Sequence, residues 1–586
     1  MATTAVDPIT AEVIRSAMET VCFEMATFVS RTATTPILNQ SNERNATILD
    51  SRGRLAALSV GIPQFMLSST LPVRYALDYL GEDLRPGDVL VANDPYHGGG
   101  HLPDFNVYSP VFDAEGEELL LIASIQCHHG DTGGALAGGY NVFAKDIWSE
   151  GTRYPVLKIL DEGKERRDVL ATMRANNRLE GFIGDLRAQV GAAQLGANRL
   201  GDIIRQYGAG TVKAAVDWTI EDAHRRFSAE IAQWPDGVYE ADVYVDTDPA
   251  GNKDIHVHVA ITVEGDGLIV DFEGSDTRPH IQAWSTFGNT RGNCIAQLAS
   301  LVDPSIPKNE GFFDRIDLRV PLGSCVNPVE GKPVSSGTHH PGTEVSDAIA
   351  IAMSKIIPDR CAPQTYKYGS PRQMWGDLDP RSGKAFFDHG GEVNAGWVNG
   401  VKGLDGWGAL VASNGNLIKA SAELNESLFP HILRDRNYRT DSAGAGQWRG
   451  NCGSHFVKEA RTPTYVNQYV VNQYHTHPGI AGGENGSPDH CTIAGVHVDP
   501  VLAGALLEVG EQLIYDFGGG GGWGDALLRD PDAVLEDVWD EYISVQGAAD
   551  DYGVVITGSL EDMTLGIDLE GTLELREKMR ADRGDQ

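Results

Sequence analysis

Two histidine-bearing patches carry the chemistry that can be read from the chain. The first runs His97-Gly98-Gly99-Gly100-His101-Leu102-Pro103-Asp104. A short turn brings residues three apart together, so His101 and Asp104 can converge on one point. Imidazole nitrogen with carboxylate oxygen suits a divalent metal such as Zn, Mn or Fe. The three glycines let the backbone come close to a ligand. The second patch is Cys127-His128-His129-Gly130-Asp131-Thr132-Gly133-Gly134. Histidines that end a buried strand and lead into Asp and glycines read as a site. The bland alternative, capped structural histidines in Gly-rich turns, suits one such cluster better than two joined by a strand and a turn.

The elements around the patches must position them. Asp88-Val89-Leu90-Val91-Ala92 is strand-like, and Asn93-Asp94-Pro95 ends it because Pro lacks the ladder donor. Leu119 to Ile125 reads as a buried strand leading to His128. On a strand Cys127 points away from His128, which excludes it as a co-ligand. Ile48 to Leu55 has a strand–turn–strand pattern. Asp7-Pro8 opens a helix in which Ile14, Met18, Val21, Met25 and Phe28 recur at helical spacing. Residues 165–230 are helical in pattern, with Asp185 and Arg187 expected as an ion pair in or beside a helix. Residues 236–275 alternate with period two, which predicts antiparallel sheet. A helix is predicted from Thr290 to Leu301 and another through Val345, Ile349, Met353 and Ile356.

Other polar residues are weighed against plainer readings. Glu150 and Arg153 lie in a polar loop and are expected as a solvated pair. Of His339 and His340, adjacent in a Gly/Pro loop, at most one is expected to face a cleft. His475 and His477 alternate in a strand-like stretch, which would put both rings on one polar face. Gly390-Gly391 and Gly400 to Gly408 mark turns. Gly518 to Gly522 cannot be a phosphate loop, because no Gly-Lys-Ser/Thr follows, and are expected to be a close backbone approach. Asp530-Pro531 starts a further helix. The fold class is α+β: a multi-lobed protein with mixed and antiparallel sheets, packed helices and a Gly-rich central site. Three regions are expected: 1–235 with the metal site and a helical segment, 236–360 β-rich then α, and 361–586 Gly-rich β with a C-terminal helix.

The 586 residues carry 82 acidic against 47 basic side chains, a formal charge of −35. That balance excludes nucleic acid and anionic membranes as partners, since both need basic surfaces. It suits docking onto a basic partner. The seven cysteines are scattered without a CxxC pair, as in a reduced compartment. No secretory signal and no membrane-length apolar run is visible, so cytoplasm is the expected location.

Asn93-Asp94-Pro95-Tyr96 through His101-Leu102-Pro103-Asp104, then His128-His129-Gly130-Asp131, resembles the hydantoinase B/5-oxoprolinase family. Further matches are Gly184-Asp185-Leu186-Arg187-Ala188-Gln189, Asn309-Glu310-Gly311, Gly444 to Gly450, Gly518 to Asp525, Arg529-Asp530-Pro531 and Asp551 to Val555. The family includes the metal-bearing subunits of acetone and acetophenone carboxylases and of caprolactamase. The resemblance implies a hydantoinase A-type partner subunit that binds ATP with Mg and phosphorylates the substrate. It also implies an acidic metal ligand in the stretch Gln40 to Asp50. Family members often carry Asp there; counting back from Asp50 puts Glu43 at that position. Where relatives often show a His, in an Ile-Pro-x-His pattern, this chain has Phe65.

The first functional reading is therefore a metal-containing subunit of an ATP-dependent hydrolase acting on a cyclic amide such as a hydantoin, lactam or 5-oxoproline. Phosphorylation turns a poor amide electrophile into one with a good leaving group, and the metal lowers the pKa of a water. His101, His128 and an acid, Glu43 or Asp104, are the expected ligands; His129 or Asp131 is the expected proton acceptor. The second reading is a ketone carboxylase subunit using bicarbonate. The third is a non-catalytic scaffold, against which the clustered histidines argue.

Overall fold

The computed structural model describes residues 6–361, 363, 372–388, 398–408 and 420–584. Gly390 and Gly391 lie outside them. The chain divides into two compact units. One is built mainly from Met1–Val243 and Asp248–Ile349, the other mainly from Tyr244–Thr247, Ala350–Val411 and Ser421–Gln586.

The first unit is organised on a seven-stranded antiparallel sheet. Its strands are β1 (Arg44–Asp50), β2 (Leu55–Leu58), β3 (Val89–Ala92), β4 (Asp104–Phe112), β5 (Leu119–His128), β6 (Leu157–Asp161) and β7 (Lys164–Glu165). They lie in the order β2-β1-β5-β4-β3-β6-β7. Strand alternation divides the side chains cleanly. Ile48, Phe105, Val107, Ala123, Ile125 and Cys127 face one side and enter the main core. Leu49, Leu90, Tyr108 and Ile122 face the other and enter a smaller core with Val73 and Ala76.

Helices cover the first face. They are α1 (Pro8–Thr32), α2 (Phe182–Tyr207) and α3 (Ala209–Ile231). Asp7 caps α1 through the Thr10 amide, with Pro8 in the first turn where a missing donor costs nothing. Ile14, Met18, Val21 and Met25 form its buried stripe, as the periodicity predicts. Asp185 and Arg187 do not pair with each other. Asp185 is buried and accepts from the amides of Thr34 and Thr35 and from both hydroxyls, while Arg187 reaches Glu165. The reason is helix geometry: residues two apart face different sides, one to the core and one to solvent.

A four-stranded sheet follows, in the order β11-β10-β9-β8. Its strands are β8 (Gly237–Thr247), β9 (Lys253–Glu264), β10 (Gly267–Asp271) and β11 (Ile316–Arg319). β9 and β10 pair antiparallel; β10 and β11 pair parallel. Helix α4 (Phe287–Leu301) starts three residues before the predicted Thr290, because Thr286 caps it through the Asn289 amide. Helix α5 (Gly342–Ser354) follows the His339-His340 loop.

In the second unit, Gly519 and Gly520 meet other backbone strands so closely that an added Cβ would stand 2.1 Å from Ser442 O and 2.2 Å from Val398 O. This is the close approach read from the five glycines. The His475–His477 stretch is not a strand. His475 stacks on Tyr244 with ring centroids 4.9 Å apart, and His477 is buried. The Asp246 carboxylate accepts from the amides of Gln473, Tyr474 and His475 and bends the chain there. Pro531–Trp539 is helical as predicted, with Asp530 as its cap. The acidic tail ends in the helix Leu569–Gly584. All seven cysteines are buried free thiols.

Candidate metal centre

The cluster lies where β4 begins and β5 ends. Asp104 and His128 are cross-strand partners, so their side chains leave the same face of the sheet. Cys127, one residue earlier, enters the helix-side core instead. His128 N donates to Glu43 O at 3.1 Å, which places Glu43 beside the same strand end. His101 arrives from the Gly-rich turn. A Cβ at Gly100 would stand 2.7 Å from Asp104 Oδ2 and 2.8 Å from Phe65, so only glycine lets the turn pass. Gly98 takes φ 99°, the left-handed region that glycine enters freely.

Ligand atoms of His101, Asp104 and His128 lie within 4.8 Å of one another, and all three residues are buried. Asp104 Oδ2 accepts from the His101 amide at 3.1 Å and faces His101 Nδ1 at 2.5 Å. Asp104 Oδ1 is buried and accepts no hydrogen bond. It stands 3.6 Å from His128 Nδ1, as does Glu43 Oε2 from its own side. Burial pulls the His128 imidazole down, but the Glu43 and Asp104 carboxylates outweigh it and hold it above its ordinary value. Burial pushes the Asp104 carboxyl up, yet the two imidazoles prevail and keep it below the usual range.

Two more residues complete the pocket: Tyr140, which the sequence reading does not single out, and Phe65, which it does. Tyr140 Oη lies 2.8 Å from His101 Nε2, and its ring stacks towards His128 at 6.0 Å. Phe65, at the position where the resemblance implies a His, stacks on His101 with centroids 5.9 Å apart. The signal for Tyr140 was slight: a lone aromatic after Gly138 and Gly139, both at positive φ. His339 approaches Tyr140 at 6.1 Å, whereas His340 is buried against Glu344. That split is what adjacent residues should give.

His129 and Asp131 stand elsewhere. The alternation that turns Cys127 to the helix side and His128 away from it turns the His129 ring back to the helix side. It lies between Phe105 and Phe182, with Nε2 2.7 Å from Gln189 Oε1 on α2. Burial lowers its pKa, against the opposing pull of Asp185 and Gln189. Asp131 accepts from the Arg178 amide and guanidinium and from the Gly138 amide, pinning the loop that carries Tyr140.

Glu150 and Arg153 are not a solvated pair. Glu150 is buried and accepts from the amides of Val334 and Ser335. Arg153 binds Asp94 and Glu330. Sequence spacing could not show these partners, which lie far along the chain.

An orphaned buried carboxylate oxygen between two imidazoles, with no thiolate on that face, is the donor set of a divalent metal. The residues fit such an ion. The hydantoinase B/oxoprolinase family description matches residues 7–526, and the chain belongs to that family. It is 30% identical over 573 residues to caprolactamase subunit beta of Pseudomonas jessenii, covering 94% of this chain and 97% of that one. The crystal structure of ATP-dependent caprolactamase from the same species superposes with a TM-score of 0.86 at 27% identity, over 98% of this chain and 100% of that one. An acetone carboxylase in its nucleotide-free form gives the same TM-score at 19% identity over 99% and 84% of the two chains, a likeness of fold.

Proposed function

We propose that this chain is the metal-holding subunit of an ATP-dependent cyclic-amide hydrolase, acting on substrate that a separate nucleotide-binding subunit activates. The observation that carries the reading is Asp104 Oδ1, buried without a hydrogen bond and facing His128 in a chain of this family. His101, His128 and either Asp104 or Glu43 would hold the ion. Bound there, a divalent ion would supply Lewis acidity.

This chain's own residues do the rest. With His101 Nδ1–H donating to Asp104 Oδ2, the Nε2 lone pair would face Tyr140 Oη, 2.8 Å away, and be open to an ion. Tyr140 Oη, at that nitrogen, would then neighbour a bound ion. His129 anchors the end of β5 to α2 through Gln189, and Asp131 anchors the Tyr140 loop through Arg178. We assign both a positioning role. Caprolactamase subunit beta, one of the relatives that align over nearly the whole of both chains, supports a lactam-like ring among the cyclic amides.

The test uses the chain assembled with its nucleotide-binding partner. His101→Ala and His128→Ala should each lower metal content by elemental analysis and abolish ATP-dependent ring opening, with circular dichroism unchanged. A double variant that keeps its full metal content would move the site elsewhere. Carboxylated product from a ketone and bicarbonate, with no ring opening of lactams, hydantoins or 5-oxoproline, would replace the hydrolase reading with the carboxylase one.

A further inference from the structure

We propose a second divalent-metal site, unrelated to the buried cluster, on the outer face of β8 and β9. Its ligands are Asp242, His256 and His258. On β9, Ile255, Val257 and Val259 are fully buried, so the alternating residues His256 and His258 must leave the opposite face together. On the neighbouring strand β8, Ala241 and Val243 are buried and Asp242 points outward. One oxygen, Asp242 Oδ1, lies 2.7 Å from His256 Nε2 and 2.8 Å from His258 Nδ1. Donor atoms of all three residues fall within 4.8 Å of one another.

The backbone beneath is fixed before any ion arrives. Ser275 Oγ accepts from His258 N and donates to His258 O. His256 O takes the Cys325 thiol and the Asp276 amide. Such held ligands lose little freedom on binding. The three side chains keep 20–52% of their surface, so water can fill the remaining coordination position. Two imidazoles and a carboxylate without thiolate suit zinc or a similar late transition ion. The ion would take the place of the protons the histidines now direct at Asp242, and would clip the edge strand β8 to its neighbour.

A plain hydrogen-bonded trio would look alike without metal, so the test must count ions. Full-length chain is stripped with chelator, then titrated with zinc chloride by calorimetry and assayed by elemental analysis. The His256→Ala/His258→Ala double variant should bind one zinc fewer than wild type and lose part of the tetrahedral Co2+ absorption. The His101→Ala/His128→Ala variant should keep the surface ion. Asp242→Asn should bind it about ten-fold more weakly. Zinc should raise the unfolding midpoint of the buried-cluster variant, and not that of a variant lacking both clusters. Equal zinc content in wild type and the surface double variant overturns the proposal, whatever the buried cluster does.

Discussion

At Asp104 one carboxylate oxygen is committed to His101 and the other waits without a donor. Replacing Asp104 by Asn keeps the size and removes the charge. Asp104→Asn should therefore weaken metal binding by about 10–100-fold whether the acid coordinates or only orients His101. Glu43→Gln should weaken it comparably only if Glu43 coordinates. Equilibrium dialysis against a competing chelator measures both. Unchanged affinity in Asp104→Asn would remove that residue from the centre. His101, Asp104 and His128 could be read from the sequence because turn spacing and strand alternation are local. His129 lies on the helix side with Cys127, as alternation about His128 gives, but its partner Gln189 is 60 residues away and could not be read from spacing. Tyr140 was not legible, since its ring reaches His101 across a 39-residue separation.

The elements that hold the site depend on a few buried acids. Asp185 gathers two amides and two hydroxyls of Thr34 and Thr35 onto α2. Asp185→Ala removes the shared acceptor of these part-buried donors, and should cost about 1–2 kcal/mol. The check is a lower midpoint in thermal unfolding; a shift within error would show that water or relaxation satisfies them. Glu150 works by proton linkage. Burial pushes its carboxyl from 4.5 up to about 8, against the amides of Val334 and Ser335. The folded chain then holds a proton that the unfolded chain releases above its ordinary value. Stability from this group is full below that value and is lost as pH rises through about 8. Glu150→Gln should flatten the fall in unfolding midpoint across that window, and an unchanged slope would assign it to other groups. The main helices and the antiparallel sheets were legible because periods of 3.6 and 2 mark their faces. The Glu150 contact and the bend at His475 were not, because each is made by a carboxylate or amide far away in sequence.

For the whole molecule the question is what the chain needs beside it. Among the described residues no helix is long and apolar enough to cross a membrane. The sequence carries no Gly-Lys-Ser/Thr phosphate loop, yet the caprolactamase structure it resembles is of an ATP-dependent enzyme whose similar chain is called subunit beta. On the proposed reading, an activated amide would be delivered by another polypeptide. The charge of −35 gives that encounter a sign: a basic docking face on the partner would be drawn in from a distance. We predict that the pure chain releases no phosphate from ATP and that co-expression with a hydantoinase A-type subunit yields one complex on size-exclusion chromatography. Its association rate should fall steeply as salt is raised, since screening shortens the reach of the field to about 8 Å at physiological ionic strength. His101→Ala should leave assembly and its salt dependence intact, because the cluster is buried and the steering charges are not. Phosphate release that scales with the concentration of the isolated chain, or independent elution of the two subunits at micromolar concentration, would show that activation is organised differently.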